Sequence, residues 1–541
     1  MSTDVFAEAP SPGENTVPSR LRAVLLTAAA AVGAGAAVAL VFLVRAGSAG
    51  AANWPVEWEF GRSDNSVLFQ LLQDVAAGRT LDWSFSPQVY IFPELPVSAV
   101  SYVLAGGDIY WYYLAVAVIN GMLLFLGLVL LVTVLFRSAG TGTRLMRAAT
   151  AFAPLVILPL VGGAWLPAFH LAPTYYFGMY LMLFTAPAFF FVRGRVARVV
   201  LGAALALTAA SNPLVLVFCG LPFTIALAVL ASRRGIRAAV KPALAAAAVL
   251  VAAAVVRLVV FSPLQGVSPL AYVDSGIFAT RMASLGSYLS RQLADPATCV
   301  VFVAGAVLAL LSLVAAIALV VRVEKRRIEP DRRVLSAIYL GCVPVLGLAC
   351  TLVLTITNYL YLWPVLIAPF MLAVLALPVR WNGRSLAALA AAFIAVLLAT
   401  GGVSTLANAS TYFGYRGAEA RCLDENLPRG SVGYATYFDA RRLTVQSATG
   451  IRLVPLSSDL SFRTWLTNLD YRREFAGSFF YLNSANDEPE LSREGITGEF
   501  GSPDEKLRCD DHHEIWLYTD PQDVERIAKH YRSDAGLVSA G

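Results

Sequence analysis

RVARVVLGAALALTAASNPLVLVFCGLPFTIALAVLASRRGIR, residues Arg195 to Arg237, is the stretch on which the fold turns. It is apolar through its middle and carries basic clusters at both ends, Arg193, Arg195 and Arg198 before it and Arg233, Arg234 and Arg237 after it. Basic residues beside membrane helices stay on the cytoplasmic side. One kinked crossing would put the two clusters on opposite sides, so the chain must go out and come back. The turn is expected at Ser211-Asn212-Pro213-Leu214, because proline lacks a backbone donor and disfavours helix in the residue before it. The stretch therefore reads as two short helices, 196–210 and 213–231.

The rest of the chain supports a membrane setting. Its 541 residues are 57% hydrophobic and 14% charged, with a mean hydropathy of +0.65, far from the composition of a soluble domain. A crossing needs roughly 20 apolar residues. Besides the central pair, spans are expected at 22–44, 109–136, 148–164, 174–192, 240–261, 299–321, 334–356, 359–378 and 385–407, eleven in all. The first apolar run, Ala23 to Val44, is too long for the core of a cleaved signal peptide and is expected to be retained.

Charge then fixes the expected sidedness. The connections at 137–147, 193–198, 232–241, 322–333 and 379–384 hold 18 Lys and Arg, whereas the opposite connections before residue 408 hold five: Arg45, Arg62, Arg79, Arg281 and Arg291. The N-terminal tail, 1–21, is thus expected in the cytoplasm and disordered, with residues 408–541 outside. The net charge of +5 does not indicate nucleic acid, since the basic residues are scattered between apolar runs. Ionisable residues are scarce within the spans, which argues against a coupled pump; Arg257, near the outer end of its helix, is the main exception and needs a partner.

The long outer segments are 45–96, 262–298 and the tail. In the first, Asp64 precedes VLFQLLQDVAAGRTL, whose Leu68, Leu71, Leu72 and Val75 follow i, i+3, i+4, i+7 spacing. The expectation is an amphipathic helix lying on the outer leaflet, with Asp64 at its N-terminal end, level with the headgroups.

The order SDN, LLQDVAAG, VYIFPEL, GGD within 60–108 resembles the first outer loop of the GT-C glycosyltransferases, polytopic enzymes that use polyprenyl-phosphate sugars, and in particular their protein-mannosyltransferase-like branch. NYLYLWPVLIAPF (358–370) and HLAPTYYFGMY (170–180) are further echoes; the architectural likeness covers about 20–410, the motifs only some tens of residues. The sequence departs from the pattern where a second acid is usual: Asn65 follows Asp64, and Glu57, Glu59 and Glu94 are the candidates to replace it.

The resemblance implies a GT-C-like domain over 22–407, in a bacterial plasma membrane, moving a sugar from a polyprenyl phosphate to a glycan, lipid or protein acceptor on the outer face. Such transfer needs a base for the acceptor hydroxyl and cationic or hydrogen-bonding groups for the departing phosphate. Asp64 is the candidate base, a role that sits beside the simpler one of capping its helix. Arg62, Glu94, His170, Tyr175 and Arg257 are the candidate substrate-binding residues. Trp83, Tyr90 and Phe92 fit a sugar or prenyl contact and equally an ordinary interfacial aromatic belt.

No cofactor is predicted. No His/Cys cluster has ligand spacing, so a divalent ion is without support. No phosphate-loop or dinucleotide motif is present, which weighs against ATP-driven transport and direct nucleotide-sugar use. The competing class is a non-enzymatic membrane protein, either a lipid or glycan transporter or a scaffold presenting the tail.

The tail turns polar near 416, and SVGYATYF, IRLVPL, SFFYLN and EIWLYT read as strands among helical pieces at 417–426, 461–469 and 521–531. The fold class expected is thus a polytopic α-helical membrane protein with a small extracytoplasmic α/β domain. Cys219, Cys299, Cys342 and Cys350 lie in apolar runs, which leaves Cys422 and Cys509 for a bridge outside the cell, two free thiols being the alternative. GYATYFDARRLT (433–444) resembles a segment following the last span in bacterial relatives of these enzymes, which implies a domain that helps bind acceptor. His512 and His513 are adjacent and so point to opposite faces of a strand, which weakens a joint ligand role.

Overall fold

The computed structural model describes residues 17–50, 63–161, 172–174, 177–265, 296–353, 363–376, 383–400, 408–484 and 490–532, with a few single positions between them. Among these, six helices are long and apolar enough to cross a bilayer: Arg20–Gly47, Ile109–Leu135, Thr141–Leu160, Leu216–Arg234, Ile236–Leu264 and Ala306–Glu324. Helices Phe177–Phe191, Arg195–Ser211, Arg332–Val353, Trp363–Ala376 and Gly383–Ala399 stand at the remaining expected spans, several of them bounded by residues outside the described set.

We number the elements α1 (Val17–Gly50), α2 (Ser63–Ala76), β1 (Trp83–Ser84), α3 (Glu94–Leu104), α4 (Ile109–Leu135), α5 (Thr141–Val161), α6 (Phe177–Phe191), α7 (Arg195–Ser211), α8 (Leu221–Arg234), α9 (Ile236–Val256), α10 (Pro296–Glu324), α11 (Arg332–Val353), α12 (Trp363–Ala376) and α13 (Gly383–Ala399). The opening stretch is two helical segments: α7 ends at Ser211, Asn212 is extended, and a π-helical turn, Leu216–Gly220, runs into α8. Both α7 and α8 pack on α9, which holds the pair together. On one side α1 packs along α4 and α5, and α4 along α6; on the other, α10, α11 and α12 pack on one another.

The tail folds as α14 (Ala418–Asn426), β2 (Val432–Thr436), α15 (Tyr437–Gln446), β3 (Arg452–Leu456), β4 (Thr467–Asn468), β5 (Phe479–Asn483), α16 (Arg493–Phe500), β6 (Glu505–Arg508), β7 (His513–Leu517) and α17 (Pro521–Arg532). Its five-stranded sheet has the order β3-β2-β5-β7-β6, with β2 parallel to β3 and β5, and β7 antiparallel to β5 and β6. The continuous apolar run of β5 is buried on both faces, as period-two alternation requires of a strand between two helical layers. Phe479 and Tyr481 join a core with Leu423 of α14 and Leu443 of α15, while Phe480 and Leu482 join one with Phe500 of α16 and Ile527 of α17.

The expected helix at 461–469 is instead an irregular segment ending in β4, because its backbone is taken up by β1, which lies between α2 and α3: Trp83 pairs with Asn468 and Ser84 with Thr467. Cys422 and Cys509 are bridged, their Cα atoms 5.8 Å apart and 87 residues apart in sequence. In the chain-entropy account a closed loop of this length is worth about 4.6 kcal/mol. Cys422→Ser is therefore expected to lower the melting temperature of the tail markedly, as is reduction of the bridge, and a thermal scan with and without reductant checks both. His513 is buried against Tyr481 with Nδ1 2.7 Å from Asp510, whereas His512 is exposed.

Candidate functional site

The segment between α1 and α4 is where the long apolar helices meet the tail. The polar face of helix α2 is not wet: Asn65, Ser66, Gln70 and Asp74 are as buried as Val67, Leu68 and Phe69. Its polar side is covered by the C-terminal domain. The Gln70 amide donates to the Arg441 carbonyl at 3.0 Å, and the Arg441 guanidinium returns a hydrogen bond to Gln70 and gives another to the Leu466 carbonyl. That guanidinium also stacks over Trp83 of β1 and Tyr437 of α15.

Asp74, fully buried, is the hub of this seam. Its carboxylate accepts from Tyr471 Oη at 2.8 Å, Asn468 Nδ2 at 3.1 Å and Trp83 Nε1 at 3.2 Å. It also pairs with Arg79 at 3.0 Å and Arg452 at 3.7 Å. A charge removed from water is tolerated only when paired and hydrogen-bonded, and here most of its partners come from the tail.

Asp64 sits in the first turn of α2, half-buried, where three segments converge. Tyr437, the first residue of α15, donates its hydroxyl to Asp64 Oδ1 at 2.8 Å. Thr174, in the connection before α6, donates to the Asp64 backbone carbonyl at 3.0 Å and lies 3.4 Å from Asn65 Oδ1. Arg463 and Arg441 lie over the Tyr437 ring, 5.8 and 5.7 Å from its centroid. A carboxylate beside a phenol and two guanidinium groups has the components for proton transfer next to an anion.

Farther along α2, an open cleft of about 330 Å³ is lined by Phe69, Gln73, Asp108, Arg416, Gln446 and Arg452 among others. Phe69 and Gln73 lie about 8 and 14 Å beyond Asp64 along the helix axis. Gln446 is buried, and its Oε1 has no hydrogen-bond partner among the described residues. A buried acceptor left open in a polar cleft suits a hydroxyl-bearing ligand.

Of the residues singled out from sequence, Arg62, His170 and Tyr175 lie outside the described residues. Arg257 finds its partners in the backbone: Nη1 donates to the Ala210 carbonyl at 2.9 Å and Nη2 to the Pro87 carbonyl at 3.2 Å. It thus holds the segment between β1 and α3 across the C-terminal ends of α7 and α9, where the Ser211 carbonyl also accepts from the Val89 amide at 3.0 Å. The structure joins Arg257 to that loop but gives it no contact with Asp64.

Glu94 opens α3 and is 2% exposed. Its Oε1 accepts from the Gly178 amide at 2.8 Å, while Oε2 has no hydrogen-bond partner among the described residues. Gly178 permits this approach because a Cβ there would lie 2.5 Å from Pro93 Cδ. Burial raises the Glu94 carboxyl to about 7, the Gly178 amide opposing the shift only partly.

Since the folded state holds this proton more tightly than the unfolded chain, stability is greatest below the unfolded value of 4.5 and falls as pH rises to about 7. The fall is on the order of 3 kcal/mol. Glu94→Gln is expected to flatten this slope between pH 5 and 7, which thermal scans across that range measure.

Tyr437, Asp74, Arg441 and Gln446 were not singled out by sequence reasoning. One signal was available: between Asn65 and Gly78 the polar side of the helix is Asn, Ser, Gln and one Asp, too few charges for a face meant for water. Among the described residues no group of three or more His, Cys, Asp or Glu is placed to hold a metal ion. No protein-family model matches the chain, and no curated protein matches it.

Proposed function

We propose that this chain is an eleven-span membrane glycosyltransferase of the GT-C type, with its N-terminus in the cytoplasm and its α/β domain outside. It takes a sugar from a polyprenyl phosphate and passes it to a cell-envelope acceptor. Asp64 removes the proton of the acceptor hydroxyl, whose oxygen attacks the anomeric carbon as the bond to the lipid phosphate breaks. The polyprenyl phosphate leaves with the electron pair, and a single displacement of this kind inverts the anomeric centre.

The observation that carries the reading is the 2.8 Å hydrogen bond from Tyr437 to Asp64. It joins the segment that resembles an acceptor-binding element of bacterial GT-C relatives to the acid of the loop that resembles their catalytic loop. Arg463, with the buried Arg441 also over the Tyr437 ring, supplies the positive charge that a departing phosphate needs. The open acceptor of Gln446 in the neighbouring cleft fits a hydroxyl-rich substrate.

The donor class is the test. Full-length protein in vesicles, given polyprenyl-phosphate sugars labelled in the sugar, is expected to move label to endogenous or added envelope acceptor, and to leave labelled nucleotide sugars untouched. Failure to move label from any polyprenyl phosphate, with folded protein, would return the chain to the transporter or scaffold class.

A further inference from the structure

A second site lies within the bundle, among α6, α7, α8, α9 and α11. It is a cavity of about 230 Å³ whose wall is aromatic and aliphatic, with the rings of Phe190 and Phe223 stacked at 3.4 Å between centroids. Its lining includes two cations, Arg198 in the first turn of α7 and Lys241 in α9, both exposed. No acid lines it among the described residues. Ser336 of α11 also lines it; the residue is 1% exposed and its hydroxyl has no hydrogen-bond partner among the described residues.

These features divide in the way an amphiphile does. A hole lined by Phe189, Phe190 and Leu230 favours hydrocarbon. Two cations with no acid in the same lining favour a phosphate. A buried hydroxyl with nothing to donate to favours an ester carbonyl between the two. A free inorganic anion would use only the cations, and a neutral lipid only the hole and the hydroxyl.

We infer that this cavity is a binding site for an anionic phospholipid, one acyl chain entering between α6 and α9 and the phosphate resting on Arg198 and Lys241. The site belongs to the end of the bundle that carries the basic connections, away from the seam around Asp64. It does not depend on the glycosyl-transfer reading.

Native mass spectrometry of the full-length protein, released from nanodiscs of mixed phosphatidylglycerol and phosphatidylcholine, tests it. Each cation near a headgroup contributes on the order of fivefold, so the two together are expected to favour phosphatidylglycerol by roughly twenty-five-fold. The double variant R198Q/K241Q is expected to bring the two lipids near parity. Ala245→Phe, which fills the cavity and leaves both charges, is expected to lose bound lipid of either kind, and it carries the test should the double variant fail to fold. Equal retention of the two lipids by the unaltered protein would overturn the assignment, as would a preference unchanged in both variants or displacement of lipid by inorganic phosphate alone.

Discussion

Replacing Asp74 with alanine is expected to undock the C-terminal domain from the membrane helices. The carboxylate is fully buried and touches Arg79, Trp83, Arg452, Asn468 and Tyr471. Its removal leaves Arg452 without its counter-charge and Arg79 with only Glu474 at 3.9 Å, and it takes an acceptor from Trp83, Asn468 and Tyr471. Breaking a buried ion pair from one side costs about 3–5 kcal/mol, more than the other contacts of this seam taken singly. The expected result is a lower melting temperature and early proteolytic release of a fragment beginning near residue 408, seen by limited digestion of protein in vesicles. Asp74→Asn keeps the shape but not the charge and should fall between the two. Melting and digestion indistinguishable from the unaltered chain would show that the domain is held elsewhere.

The sequence was legible where one element answers to one rule. The break at Asn212-Pro213 followed from proline chemistry and charge, and the four apolar strands of the tail from their length and β-branched or aromatic content. Where two distant segments decide the outcome together, local rules were insufficient. Residues 461–469 carry a helical pattern, yet their end pairs with a strand nearly four hundred residues earlier in the chain. Helix α2 shows an amphipathic period, yet its polar side meets protein because Gln70 and Asp74 find partners in the tail. Edge strand β6, EKLR, carries too little apolar pattern to be read without β7 beside it. The candidate site was half legible. Asp64 and Glu94 stand out as acids in a loop, but Tyr437 and Arg441 acquire meaning only once α15 is seated on α2.

The second large effect concerns Asp64 itself. Asparagine at this position keeps the volume and, through its amide oxygen, the hydrogen bond from Tyr437, but it cannot take a proton from an acceptor hydroxyl. Because Asp64 is only half-buried and its backbone carbonyl is still held by Thr174, the fold should tolerate the change, so any loss reports on chemistry. Removing a positioned general base lowers turnover by about 10²- to 10⁴-fold. Tyr437→Phe, which removes the hydrogen bond to the charged Asp64, should cost roughly tenfold.

The decisive measurement is therefore the rate of sugar release from labelled polyprenyl phosphate at saturating donor, for the unaltered chain and Asp64→Asn side by side, with matched melting temperatures. Release by the first and a drop of at least about a hundredfold in the second is the predicted result. Equal rates in the two proteins would contradict a catalytic role for the carboxylate of residue 64.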